Sequence, residues 1–110
     1  MTVQKAYELL KKSGIEIVYG GYEQKCELPC LTLNAISSEY SCSDDGSCIV
    51  ETLKLEVNLY TKNKNVDAEY SILEIFSSEN EISRIERYIQ EEKVYENSFT
   101  ISTTNKLYKE

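Results

Sequence analysis

The stretch from Val50 to Thr61, VETLKLEVNLYT, alternates without a break: Leu53, Leu55, Val57 and Leu59 fall between Thr52, Lys54, Glu56 and Asn58. Period two over this length marks a β-strand with one apolar and one polar face. Such a strand needs paired neighbours, and its apolar side needs a layer of helix or second sheet over it. The rest of the chain has to supply both.

Upstream, Leu31, Leu33 and Ala35 alternate with Thr32 and Asn34, which predicts a second long strand over about residues 30–38. Pro29, the one proline, suits the start of that strand rather than its interior. Between the two strands, Ser41 to Ser47 (SCSDDGS) is rich in turn formers, and Asp45-Gly46 fits a turn that needs positive φ. The pair therefore reads as an antiparallel hairpin. Ile15 to Tyr19 (IEIVY) predicts a short strand stopped by Gly20-Gly21, and residues 22–29 are a polar connection. At the start, Val3, Ala6, Tyr7 and Leu10 form one stripe of an amphipathic helix over about residues 2–13, with Thr2 as N-cap and Lys11, Lys12 and Gly14 as stop signals.

Downstream, Lys62 to Asn65 is a polar connection, and Asn65 is placed to cap a helix over about residues 66–78. Asp67 and Glu69 sit in its first turn, and Val66, Tyr70, Leu73 and Phe76 share a face widened by Ile72. From Glu81 to Lys93 the pattern admits two readings. Ile82, Ile85 and Ile89 have helical spacing, whereas Ile85, Arg87 and Ile89 alternate along a strand. The β-branched content and the Glu91-Glu92-Lys93 turn favour a hairpin, with strands at about 83–90 and 94–102. Phe99 and Ile101 alternate with Ser98 and Thr100 in the last strand, and residues 103–110 are expected to fray. The order is α-β-β-β-α-β-β. It predicts a single α+β domain over residues 1–110: an antiparallel sheet covered on one face by two helices.

One hundred and ten residues with 41% hydrophobic content suit one globular domain with a modest core. Twelve basic against 19 acidic residues, a net charge of −7, argues against sequence-independent grip on nucleic acid. No apolar run approaches bilayer length, and Met1 leads into a polar amphipathic segment rather than a signal-peptide core, so the expected location is the cytosol of the producing cell. Histidine is absent, which removes imidazole acid–base chemistry and histidine metal ligands; nine tyrosines offer apolar area with a polar tip.

The four cysteines, Cys26, Cys30, Cys42 and Cys48, are spaced C-x3-C and C-x5-C. Neither spacing is a tight zinc knuckle, and the expected cytosolic setting disfavours disulfides, so the reading is reduced thiols; a metal site on all four and a disulfide are the alternatives. Asp44-Asp45-Gly46 looks like a fragment of a calcium loop, but the later ligands are missing, and a solvated turn is the better reading. No phosphate loop, activated nucleophile or paired acid and base stands out, so neither an enzyme nor a bound cofactor is expected. The polar face of the Val50–Thr61 strand, Thr52, Lys54, Glu56, Asn58 and Tyr60, is either plain solvent-exposed surface or an interface between subunits.

Several short segments, taken in order, resemble a known family. They are Leu28-Pro29 leading into a strand, Ser43-Asp44-Asp45 in the hairpin, Val57-Asn58-Leu59-Tyr60-Thr61-Lys62 with Lys64, the acidic helix start at Asp67 and Glu69, and Tyr88-Ile89 followed by Glu91-Glu92-Lys93-Val94-Tyr95. In that order and spacing they are similar to the tail completion, or tail terminator, proteins of long-tailed phages and prophages of Gram-positive bacteria. The likeness runs from about residue 3 to residue 102. It implies a non-enzymatic structural protein: a ring, usually a hexamer, that caps the finished tail tube and offers a surface to the head connector or neck protein. The same likeness fits a head-side neck protein, while a small metal-binding adaptor built on the four cysteines is the alternative of a different class. The family pattern has aromatic residues where this chain has Cys30 and Cys48; the departure fits smaller apolar residues, and leaves open a metal or a disulfide joining those two across the hairpin base.

The implied partners are further copies of the chain, the tail tube protein and the head connector. DNA would traverse the lumen without being held, which suits an acidic protein, and no membrane is involved. The implied location is the bacterial host cytoplasm during assembly and then the tail–neck junction of the virion. Lys54, Glu56, Asn58 and Tyr60, with Asp44 and Asp45 of the hairpin loop, are the residues expected at subunit contacts or the lumen. Such contacts are weak alone, so the isolated chain is expected to be a monomer until a tail tip raises their effective concentration.

Overall fold

The computed structural model describes residues 1–19, 27–42, 45–77 and 81–108. Helix α1 is Val3–Lys11, followed by strands β1, Glu16–Tyr19, β2, Cys30–Cys42, and β3, Cys48–Thr61; then come helix α2, Val66–Ile75, and strands β4, Glu81–Ile89, and β5, Val94–Tyr108. The expected order and the α+β class are what the chain adopts, with a five-stranded sheet in the order β1-β2-β3-β5-β4. The strand read first from the sequence lies at its centre.

Each element begins or ends for a local reason. Thr2 caps α1 by accepting a hydrogen bond from the Lys5 backbone N–H at 3.1 Å, and Gly14 beyond the helix takes φ 82°. Asn65 caps α2 in the same way, its Oδ1 accepting from the Ala68 N–H at 3.1 Å. In the β2–β3 turn, Asp45 Oδ1 accepts from the Ser47 N–H at 2.9 Å and Gly46 supplies φ 71°, the positive value that the Asp-Gly pair predicts. The Glu81–Lys93 ambiguity resolves as a hairpin, with Ile89 opposite Val94 across the turn.

The core lies on one face only. Leu53, Leu55, Val57 and Leu59 of β3 join Leu31 and Leu33 of β2, Phe99 and Ile101 of β5, Ala6 and Leu10 of α1, and Ala68, Ile72 and Phe76 of α2 in a single apolar cluster. The molecule is elongated, 53 × 25 × 23 Å, because the hairpin outruns this cluster: every β2 residue from Ala35 to Cys42 is exposed.

Three expectations are corrected, and one feature of β2 is new. The sheet is mixed rather than antiparallel, since β1 pairs parallel to β2, with Glu16 opposite Cys30 and Tyr19 opposite Leu33. Residues 103–108 do not fray: β5 continues to Tyr108 because β3 offers a partner as far as Cys48, and Thr103 is only 1% exposed. The buried side of α2 is Ala68, Glu69, Ile72 and Phe76, while Val66 and Tyr70 face solvent: Ile72 and Phe76 enter the core, and Glu69 beside them meets Lys64 and Arg84. Finally, β2 carries a bulge at Ile36 between the pairs Ala35–Leu55 and Ser37–Lys54. One extra residue reverses the facing of everything after it. Leu31, Leu33 and Ala35 share the helix side with Leu59, Val57 and Leu55, whereas beyond the bulge Ser38 and Tyr40 take that side, opposite Leu53 and Glu51.

Leu55 is fully buried and Glu56 is half-buried on the opposite face. Leu55→Asp should cost roughly 3 kcal/mol or more by burying an unpaired carboxylate, against a total stability of about 5–15 kcal/mol. Circular dichroism and urea titration should find that variant largely unfolded and Glu56→Lys folded.

Candidate functional site

The face of the sheet away from the helices carries the residues singled out for interface or lumen contact. Lys54 is exposed and Glu56 half-buried, as a polar face requires. Asn58 and Tyr60 depart from that expectation, at 6% exposed each. The reason is position: β3 is flanked on both sides, so Asn58 sits between Thr32 and Ser98, and Tyr60 between Cys30 and Glu96. Asn58 Nδ2 donates to Thr32 Oγ1 at 3.2 Å and to Glu56 Oε1 at 2.9 Å. Arg87 of β4 donates from Nε to Glu96 Oε1 at 2.8 Å, and its pKa is held above the ordinary value chiefly by that carboxylate. This end of the outer face is thus closed by its own side chains, and only the half around Lys54 is open. Asp45 is exposed in the turn, and Asp44 lies outside the described residues.

The cysteines do not form one site. Cys30 and Cys42 stand at opposite ends of β2, a strand of 13 residues and so about 40 Å apart at roughly 3.3 Å per residue. No single ion can bridge them. Cys30 is disulfide-bonded, which corrects the reading of reduced thiols at that position, whereas Cys42 and Cys48 carry no disulfide. A Cys30–Cys48 bond is excluded by the same geometry, since Cys30 lies opposite Tyr60, at the far end of β3 from Cys48. Cys26 lies outside the described residues.

The most organised polar cluster was missed in the sequence. Glu69 of α2, 7% exposed, receives a hydrogen bond from Lys64 Nζ at 2.9 Å and another from Arg84 NH1 at 2.9 Å. Lys64 also pairs with Glu86, and Arg84 lies 3.6 Å from the same carboxylate while donating to Asn97 Oδ1 at 2.6 Å. Two cations and two carboxylates therefore tie the first turn of α2 to edge strand β4. Lys64 has its pKa raised, first by Glu69 and then by Glu86, and Glu86 has its pKa lowered, first by Lys64. A usable signal was present: Arg84 and Glu86 are two apart on one strand face, and Glu69 follows the helix cap by four. It lacked only the fact that α2 packs over β4. The cluster pairs each carboxylate with cations across two elements, an arrangement that fastens α2 to β4.

No protein-family model matches the chain, and no curated protein matches its sequence.

Two outcomes test the cluster. Arg84→Met should lower stability in urea by about 1–3 kcal/mol by leaving the buried Glu69 with one partner fewer, and Arg84→Met with Glu69→Met should recover much of it. Glu86, whose folded pKa lies below its ordinary 4.5, contributes stability that is present above that value and lost as pH falls below it. The urea midpoint of Glu86→Gln should therefore lie below that of the parent at about pH 7, and the difference should shrink as pH falls below 4.5.

Proposed function

We propose that this chain is a structural subunit of a tail terminator ring in a long-tailed phage or prophage, capping the finished tail tube and offering the surface that joins the head. One observation carries the reading. The segments that resemble the terminator family are scattered along the chain, yet most of them meet at one end of the sheet. Leu28 and Pro29 share a cleft of about 220 Å³ with Thr61 to Asn65. Tyr60 lies opposite Glu96, Tyr88 stacks edge-on against Tyr95 at 5.0 Å, and Lys64 binds Glu69. Their gathering gives these segments one shared surface, and that is what supports the reading.

The other end of the molecule supports the same role. The exposed arm of β2 outruns the apolar cluster, available to neighbouring copies rather than to the subunit's own core. The open half of the outer face presents Thr52, Lys54, Thr100 and Ser102 with Lys106, Glu39 and Glu81, hydroxyls and mixed charge rather than a basic groove. With a net charge of −7, a lumen lined by such a surface would let DNA slide past without holding it. The cysteine-based adaptor is disfavoured by the separation of Cys30 from Cys42 along one strand.

The test is deletion of the gene from the phage or prophage that carries it, with particles viewed by negative-stain electron microscopy. Tails of uncontrolled length, separate from filled heads, are expected, and supplying the purified protein should restore joined particles. Normal-length tails beside heads that lack a neck would move the protein to the head side. Normal infectious particles would end the proposal.

A further inference from the structure

Two stretches of strand present their edges to solvent. In β4, only Ile82 and Ile89 are half-buried and the other residues are exposed. On the far side of the sheet, β1 pairs with β2 only from Cys30 to Leu33 among the described residues, and the eight residues from Ala35 to Cys42 are all exposed. Each edge carries a bare isoleucine, Ile85 at 66% and Ile36 at 51%. Exposed edges of this length are templates for strand pairing.

Resting on the ring-forming reading of the chain, we infer that the partner of the β4 edge is the Ala35–Cys42 edge of β2 in a second copy. Strand direction permits it. The pairs β2–β3, β3–β5 and β5–β4 are all antiparallel, so β4 runs opposite to β2, and copies repeated around an axis meet as antiparallel strands. The two edges differ from one another, so the contact is heterologous; it propagates from copy to copy instead of stopping at a dimer.

The offset between the edges is that of a sheet closing on itself. Ile85 pairs with Ser98, Ser98 with Asn58 and Asn58 with Thr32, which sets the middle of β4 level with Thr32. Ile85 faces away from the helices, so its in-phase partner near the middle of the exposed part of β2 is Ser37 or Glu39, opposite Lys54 and Thr52, four or six residues along β3 from Asn58. That is a rise of about 14–20 Å at roughly 3.4 Å per residue, over four strand spacings of about 4.8 Å, or about 19 Å. The strands would then tilt by about 35–47°, a range that spans the roughly 35–45° of closed sheets.

Charge and facing agree. Glu39, opposite Thr52, and Arg87, opposite Glu96, both lie on the face away from the helices; Tyr40, opposite Glu51, and Arg84, opposite Phe99, both lie on the helix side. Joined in phase, the edges bring a carboxylate into the row of one arginine and an aromatic ring into the row of the other. The bulge at Ile36 is what turns Glu39 to the side where Arg87 stands.

The experiment is site-directed cross-linking of the full chain in a Cys42→Ser background, which removes the exposed native thiol. Protein with Glu39→Cys is mixed with protein carrying Ile85→Cys and mildly oxidised; both sites are exposed, so each variant should fold. The mixed disulfide dimer should exceed by about tenfold that formed with Lys12→Cys in place of Ile85→Cys, since only docking raises the effective concentration of the pair. Both substitutions in one chain should give a cross-linked ladder. A ladder of open chains without rings would uphold this pairing while removing the ring. Rings seen by electron microscopy without the 39–85 cross-link would leave the ring standing and overturn the pairing, as would cross-linking no greater than the control.

Discussion

Burial of one side of β3 is the constraint on which the rest of this structure depends. Leu55, Val57 and Leu59 are fully buried, at 0% exposed, against Leu31, Leu33, Phe99, Ile101 and the two helices. At about 1.5–3 kcal/mol for each fully buried side chain, these three alone contribute about as much as the net stability of an ordinary domain, roughly 5–15 kcal/mol. A chain of 110 residues has no second core of comparable size to fall back on. Keeping that side dry forces α1 and α2 onto the same face, and keeping the backbone of a central strand satisfied forces β2 and β5 to its two sides.

Because both helices lie on one face, the opposite face combines hydrogen bonds and charge with a few buried apolar side chains, Cys30, Tyr60 and Val94. It divides into two halves with different physics. Near Tyr60, cross-strand neighbours and the Arg87–Glu96 pair close the surface, so residues of polar type become interior. Toward the arm nothing comparable covers β2 among the described residues, and its exposed side chains face solvent. A protein whose work is assembly has use for this division: a closed end that keeps its shape, and an open end that presents backbone and side chains to a neighbour.

The charged cluster joins the two layers at the other edge. β4 makes little apolar contact of its own, with Ile82 its one side chain against the core. What fastens it to α2 is Glu69 held by Lys64 and Arg84, with Glu86 balancing the second cation. Such a device contributes less than a buried apolar contact of the same size, but it fixes orientation. Its facing agrees with that of Ile72 and Phe76 in the core, and Val66 and Tyr70 are left outside.

Much of the architecture was legible in the chain itself. Period two in Val50–Thr61, the caps at Thr2 and Asn65 and the Asp45-Gly46 turn are local signals, each decided by residues within a few positions of one another. They set element type and order because backbone geometry and capping act over that same short range. What the sequence could not decide depends on which distant residue becomes a neighbour. Asn58 and Tyr60 look like surface until strands arrive on both sides; Glu69 looks like a helix-start carboxylate until Arg84 comes over it. The bulge at Ile36 leaves no mark in the pattern, because an inserted residue shows only against the strand it fails to pair with. Cys30 and Cys48 look near enough in the chain to join, yet the hairpin sends them to opposite ends, since paired strands convert sequence distance into length along the sheet.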